Sequence, residues 1–162
     1  CHGYERYEIS NYARPGFACR HNCGYWRRVN YLGLGLGAAS LIGNVRSSNT
    51  RDMERYLRQP LMSKMEICTL SVKEQMEEFM FLGLRMTDGV GADEFADLFG
   101  RRLEEVYDDV IRKNLADGLL VWTGDERRGS TGQNTAGGRR LVLTDYGLDV
   151  SNYVMAQFLL DE

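Results

Sequence analysis

The residues best suited to do chemistry lie in one short segment, His-Asn-Cys-Gly-Tyr-Trp, at residues 21–26. His21 is one of only two histidines in the chain, and seven aromatic residues fall between residues 4 and 31. Imidazole is a good axial ligand for heme iron, and flat aromatic rings stack on a porphyrin face. The segment is therefore a candidate heme-binding site. A lone histidine is more often structural, so a His that bonds a backbone carbonyl beside a core Trp remains the alternative.

The charge pattern supports an anionic ligand in the first part of the chain. Arginines that could pair with propionate carboxylates flank the segment at Arg14, Arg20, Arg27 and Arg28. Residues 1–70 hold ten Lys and Arg against five Asp and Glu, whereas residues 71–162 hold ten against 18. An acidic second part repels phosphate backbones, so we expect no nucleic-acid partner. The asymmetry also predicts that two structural units meet near residue 65.

The cysteines do not complete a metal motif. Cys19 and Cys23 match the first two positions of CxxxCxxC, but Trp26 occupies the third position. We therefore predict no iron–sulfur ligands in this chain. Four cysteines are too few for a secreted disulfide scaffold, and no apolar run is long enough for a transmembrane helix. A reduced, cytoplasmic protein is expected, and the absence of an initiator Met is typical of a piece of a longer protein.

Glycines alternate with leucines over residues 31–37, which predicts a strand with one face bare of side chains. The bare face is formed by Gly33, Gly35 and Gly37. It indicates close approach by either a ligand or another backbone. The segment also satisfies GxGxxA, but a dinucleotide site is not favoured, because no helix opens at Ala38.

Two sets of elements surround these segments. In the first part we predict a short helix over residues 21–28, a hairpin around Gly43-Asn44 and a short helix over residues 52–58. In the second part, Ser71 and Glu74 form a capping box for a helix to Met86. Further elements follow: helices over 92–99 and 101–117, strands over 119–122 and 140–143 around a loop at 124–138, and a last helix capped by Thr144.

The order of elements in the second part is that of a winged helix. Its candidate recognition helix, residues 101–117, carries five acidic against four basic residues. Such a face disfavours a nucleic-acid duplex, so a protein or a cofactor is the expected partner. The helix offers no paired carboxylates that can be placed in a cleft, so no catalytic residue is assigned.

Several of these blocks together resemble one family. Residues 7–17, 20–22, 25–26 and 31–38 are similar to the block shared by oxygen-independent coproporphyrinogen III oxidases and their HemW heme-chaperone relatives. The resemblance implies an α/β + α fold class. Residues 1–62 would be the C-terminal strands of a radical-SAM (β/α) barrel, and residues 66–162 a winged-helix-like domain.

The resemblance also implies a function. The HNxxYW motif of HemW-type members matches His21, Asn22, Tyr25 and Trp26, which implies heme contacts, and Gly33, Gly35 and Gly37 would face S-adenosylmethionine. The parent protein would hold a [4Fe–4S] cluster through ligands outside this chain, so the chain alone is expected to be inactive. One departure is Ala39, where the family has His.

Three functions follow as hypotheses. The first is a heme chaperone that passes heme to a recipient protein. The second is an oxygen-independent coproporphyrinogen III oxidase, which forms protoporphyrinogen IX by oxidative decarboxylation. The third is an acidic winged-helix interaction module without a cofactor.

Overall fold

The computed structural model describes residues 2–60, 62–124 and 138–160, which form three small antiparallel sheets and seven helices. Most of the predicted loop at 124–138 lies outside the described residues. Within the described ranges, no helix is long and apolar enough to cross a membrane. The elements in chain order are β1 (Glu5–Glu8), β2 (Asn11–Ala13), α1 (Arg20–Trp26), β3 (Ala39–Ile42), β4 (Val45–Asn49), α2 (Met53–Arg58), β5 (Lys64–Thr69), α3 (Val72–Gly83), β6 (Val90–Gly91), α4 (Ala92–Phe99), α5 (Leu103–Ala116), β7 (Leu120–Thr123), β8 (Arg140–Leu143), α6 (Asp145–Asp149) and α7 (Ser151–Ala156).

The first part of the chain is organised around the predicted hairpin. Ile42 pairs with Val45, so Gly43 and Asn44 form a two-residue turn between β3 and β4. Gly43 has φ of 60°, the left-handed conformation that such turns require. β5 then pairs antiparallel with β4, which extends the sheet beyond residue 62 in the order β3-β4-β5. The hairpin prediction is confirmed, whereas β5 was not predicted.

The glycine-rich segment is not a strand, so that prediction is wrong. Only Tyr31 bridges another strand, by backbone hydrogen bonds with Leu41 of 2.9 and 3.0 Å. Gly35 and Gly37 have φ of 103° and 66°. An extended strand needs negative φ at every residue, so these two glycines turn the chain into a loop instead.

The second part begins with the predicted capping box. The Ser71 hydroxyl accepts a hydrogen bond from the Glu74 backbone at 3.2 Å, and the Glu74 carboxylate accepts one from the Ser71 backbone at 2.7 Å. α3 then packs with α4, α5 and α7 around a core of large apolar side chains, and β6, β8 and β7 form a sheet beside them. The innermost residues, all with 0% exposure, are Met80, Leu84, Phe95, Leu103, Leu141, Val154 and Phe158.

The last predicted helix is divided in two. Thr144 caps α6 as expected, since its hydroxyl accepts from the Gly147 N–H at 2.9 Å. Val150, however, has φ of −115° and ψ of 27°, outside the helical region, and α7 starts after it. The break allows α6 to contact β8 while α7 contacts α3. A single straight helix over the same residues would not make both contacts.

The two parts of the chain are joined by backbone pairing at the end of β1. Glu8 forms an isolated antiparallel bridge with Met86, and the Ile9 N–H donates to the Arg85 carbonyl at 3.0 Å. The Glu8 side chain is fully buried at this junction. Its carboxylate accepts hydrogen bonds from Ser10 and Asn11 and lies 3.3 Å from the Arg85 guanidinium.

We expect Glu8→Gln to destabilise the chain by about 1–3 kcal/mol at neutral pH, because the buried donors lose their charged acceptor. Burial raises the pKa of Glu8, but the hydrogen bonds from Ser10 and Asn11 and the Arg85 charge outweigh it, so the pKa lies below the usual 4.5. The carboxylate therefore stabilises the fold fully above the unfolded-state pKa and loses this effect as pH falls through the lower folded-state pKa.

Urea unfolding of wild type and Glu8→Gln between pH 7 and pH 2 measures this difference. The gap in unfolding free energy should be constant above pH 5 and close in the acid range. A gap that persists unchanged at pH 2 would contradict the assignment. Glu54→Gln is the matched control, because the Glu54 side chain is 83% exposed.

Candidate functional site

The candidate segment forms a seven-residue helix, α1, in which no residue is fully buried. Residues four apart lie on the same face of a helix, so His21 pairs with Tyr25, and Asn22 pairs with Trp26. The two pairs make different contacts: His21 and Tyr25 pack against each other, whereas Asn22 and Trp26 meet Tyr7 and Arg85. Each pair has its own surroundings.

The face with His21 is open to solvent. The His21 ring is exposed, and its centroid lies 4.7 Å from that of Tyr25 at an interplanar angle of 77°. Tyr25 in turn meets Tyr31 at 4.5 Å and 73°. These edge-to-face contacts line up three rings, here called the His21 aromatic row (His21, Tyr25 and Tyr31). The row presents an accessible imidazole beside an apolar wall, which suits a flat metal-bearing ligand.

Trp26 is half-buried and lines two surface pockets, and it also contacts the second part of the chain. The Arg85 guanidinium lies 4.3 Å from the Trp26 ring centroid, a cation–π distance. The Asn22 side-chain amide lies 3.4 Å from the Tyr7 hydroxyl. The indole N–H of Trp26 is buried and has no hydrogen-bond partner among the described residues. In this arrangement Asn22 and Trp26 fasten α1 to the rest of the chain.

The arginines predicted to meet propionates are in different situations. Arg27 forms an ion pair with Asp88 at 2.8 Å, and Arg28 forms one with Glu78 at 3.1 Å. Both guanidinium groups are engaged by the second part of the chain. Arg20, the residue before His21 in α1, is exposed.

The glycine loop is occupied by protein contacts. The Asn49 side-chain amide donates to the carbonyls of Gly33 and Gly35 at 3.0 and 2.9 Å, and the Gly35 N–H donates to the Tyr56 hydroxyl at 2.9 Å. A Cβ at Gly33 would overlap the carbonyl oxygen of Ala39. Close backbone packing therefore accounts for Gly33, whereas Gly35 and Gly37 are used for their positive φ.

The three cysteines that the structure describes are free thiols, with Cys19 and Cys68 exposed and Cys23 half-buried. Among the described residues, no three His, Cys, Asp or Glu side chains lie together as a metal site would require. Trp26, at the third position of the cluster spacing, packs against Arg85. The described residues therefore do not provide a set of ligands that fits a [4Fe–4S] cluster.

Sequence reasoning missed the residues that hold α1 in place. Tyr31 was noted only as one of several aromatics. Arg85 and Glu78 lie more than 50 residues from α1 in the chain, and no local pattern connects them to it. In the sequence, only the family resemblance over both parts of the chain indicates that residues of the second part could contact α1.

Comparisons with known proteins agree on one family. The model of the HemN C-terminal domain matches residues 70–126. The heme chaperone HemW of Lactococcus lactis is 34% identical over 161 residues, covering 99% of this chain and 39% of that protein. The heme chaperone HemW of Bacillus subtilis is 38% identical over 125 residues, covering 74% of this chain and 32% of that protein.

The fold has a solved counterpart. The structure of coproporphyrinogen III oxidase (HemN) from Escherichia coli, described as a radical SAM enzyme, superposes with a TM-score of 0.64. It covers 97% of this chain and 37% of that one at 14% identity, so it shows the fold alone. The chain spans about two fifths or less of the length of these relatives. The sequence matches therefore show that this chain is similar along nearly its whole length to heme chaperone HemW proteins, and that residues 70–126 match the HemN C-terminal domain.

Proposed function

We propose that this chain provides a heme-contacting surface of a heme chaperone, with His21 as an axial ligand to the iron. The observation that carries the proposal is the exposed His21 imidazole at the end of a row of edge-packed rings. The names of the relatives, which are heme chaperones, support the same ligand. Tyr25 would contact the porphyrin, and the exposed Arg20 would meet a propionate.

Asn22 and Trp26 have a different role in this proposal. Both contact other parts of the chain, so they would hold the helix, and the half-buried Trp26 would also offer its ring to the ligand. Heme here is cargo, bound and released unchanged, and the chain needs no acid, base or nucleophile for that purpose. A recipient protein would accept the heme.

The longer protein is also part of the proposal. It would bind a [4Fe–4S] cluster and S-adenosylmethionine through residues outside this chain, in a cytoplasmic setting. The loop with Gly33, Gly35 and Gly37 would lie near the S-adenosylmethionine site of the longer protein. In this structure the carbonyls of Gly33 and Gly35 accept hydrogen bonds from Asn49. The order α3–β6–α4–α5–β7–β8 supports a winged-helix-like second unit, residues 66–162. Residues 1–62 would complete a barrel. Because β5 (Lys64–Thr69) pairs with β4, we propose that the first unit extends to Thr69 and that the second unit begins near Leu70 instead of at residue 66.

A second candidate is the decarboxylation of coproporphyrinogen III, which the fold likeness to HemN favours. The two functions differ in the ligand that they require. A chaperone binds iron-bearing heme, whereas the decarboxylase binds a metal-free tetrapyrrole with four propionates. The acidic interaction module remains the outcome if neither ligand binds.

The test is a titration of the chain with hemin, metal-free protoporphyrin IX and coproporphyrin III, followed by absorbance and tryptophan quenching. We expect saturable one-site binding of hemin, at least about tenfold tighter than either metal-free porphyrin, because His21 needs iron to form a bond. Equal affinity for hemin and protoporphyrin would contradict axial ligation. Preference for coproporphyrin III would favour the decarboxylase.

A further inference from the structure

The end of α1 adopts a backbone arrangement that usually requires glycine. The Val29 N–H donates to the Gly24 carbonyl at 2.9 Å. The Arg28 N–H donates to the Tyr25 carbonyl at 3.2 Å. These two bonds form a Schellman C-cap, in which the residue after the cap is left-handed and most often glycine. Here that residue is Arg28, with φ of 53°. A non-glycine residue in this conformation points to a compensating contact.

The compensating contact is a carboxylate in α3. The Nε of Arg28 lies 3.1 Å from one oxygen of Glu78, and the side chains are 13% and 7% exposed. A guanidinium nitrogen of Arg46 lies 2.8 Å from the other oxygen of Glu78. Each carboxylate oxygen therefore has its own cation. A charge this well buried is tolerated only with such partners.

The three side chains come from three separate elements. Glu78 lies in α3, Arg28 follows α1, and Arg46 lies in β4. We call this ion-pair group the Glu78 clamp (Glu78, Arg28 and Arg46). It links the helix that carries His21 to the first helix of the second part of the chain.

α1 has little to stabilise it from within. It has seven residues, no buried residue and no side-chain cap at Cys19. A helix this short is marginal by itself in water. Its other ion pair, Arg27–Asp88, has side chains that are 55% and 47% exposed and is therefore weak. The Glu78 clamp is the ion-pair contact of α1 that is withdrawn from solvent.

We propose that Glu78 is a positioning residue for the heme site, acting through Arg28 to fix the end of α1 and thereby the placement of His21. This proposal rests on the proposed function for its consequence in heme binding, but not for its structural claim. Glu78 touches neither His21 nor Tyr25 and contributes no atom to the ligand. Its effect is to restrict α1 to one orientation before heme arrives, which lowers the ordering cost of binding.

The test compares wild type with Glu78→Gln in two measurements. The first is amide hydrogen exchange of the peptide covering residues 20–29 without heme. The second is hemin affinity by titration. We expect exchange in this peptide to become about tenfold faster and the hemin Kd to rise about tenfold, because α1 loses its buried partner. The spectrum of the saturated complex should not change, since His21 remains the ligand.

A second variant distinguishes the effect of the Glu78 clamp on α1 from the effect of the left-handed backbone conformation at residue 28. Arg28→Gly places the favoured residue in the left-handed position, so backbone preference alone predicts slower exchange in α1. The Glu78 clamp predicts faster exchange and weaker hemin binding instead. Combining E78Q with R28G should add little to either single change, because both remove the same interaction. R28G also keeps the proposal testable if E78Q does not fold.

The control is Glu105→Gln, which breaks a solvent-exposed pair with Arg102 on α5 and should leave both measurements unchanged. Wild-type exchange rates for residues 20–29 in E78Q, or slower exchange in R28G, would overturn the positioning role. If wild type does not bind hemin, the proposed function is contradicted. The exchange measurement without heme would still decide whether Glu78 positions α1.

Discussion

Replacing His21 with alanine is expected to weaken hemin binding by at least about 100-fold and to remove the histidine-ligated spectrum. Loss of a residue that only hydrogen-bonds to a metal ligand lowers metal affinity by about 10–100-fold. Loss of the ligand itself should lower it by more. Tyr25→Phe should preserve the spectrum, because the ring and its edge contacts to His21 and Tyr31 remain. Absorbance spectra of the ferric and ferrous complexes, with Kd from titration, measure both effects.

The matched control is His2→Ala, since His2 is the other histidine and is also exposed. Thiols compete for heme iron, so the comparison is made in a chain with Cys1, Cys19, Cys23 and Cys68 replaced by serine. If His21→Ala binds hemin with unchanged spectrum and affinity in that background, His21 is a structural residue of α1. The same pair of variants in the longer protein decides whether the site is used there.

Much of the local structure could be predicted because it depends on a few neighbouring residues. The capping box of Ser71 and Glu74 specifies the start of α3 by two reciprocal hydrogen bonds. Gly43 specifies the β3–β4 turn by its tolerance of positive φ. α1 also lies close to the helix predicted over residues 21–28, but it begins one residue earlier and ends two residues earlier.

The errors arose where distant contacts override a local pattern. Alternating glycine and leucine over residues 31–37 predicts a strand, but hydrogen bonds from Asn49 and to Tyr56 hold the segment as a loop. The helix break at Val150 depends on where α6 and α7 find packing partners. β6 has only two residues and exists because β8 pairs with it. None of these features has a periodicity that a sequence can display.

The candidate site shows the same division. The types and spacing of His21 and Tyr25 indicated heme chemistry, and helical periodicity places them on one face. The sequence could not show that Trp26 faces Arg85, or that Arg28 is held by Glu78. Both partners lie in the second part of the chain. The site is therefore built on a surface that the second part supports.

This dependence predicts that damage to the core of the second part reaches the candidate site. Phe95 is fully buried, and its ring centroid lies 4.7 Å from that of Phe99, 5.6 Å from Phe79 and 6.1 Å from Tyr107. We expect Phe95→Ala to lower the unfolding free energy by about 3–5 kcal/mol, because it leaves a cavity that three aromatic neighbours cannot fill. Urea unfolding followed by far-UV circular dichroism measures the loss.

The control is Phe17→Ala, since Phe17 is 79% exposed and the change should fall within about 0.5 kcal/mol of wild type. Because Glu8 bridges Met86 and Glu78 holds Arg28, α1 should lose its exchange protection in the same transition as α3 in Phe95→Ala. A loss below about 1 kcal/mol would contradict the packing of Phe95 at the centre of the core. If α3 loses protection while residues 20–29 keep theirs, the first part holds α1 without the second, and the support of the His21 aromatic row must come from β1 and Tyr31 instead.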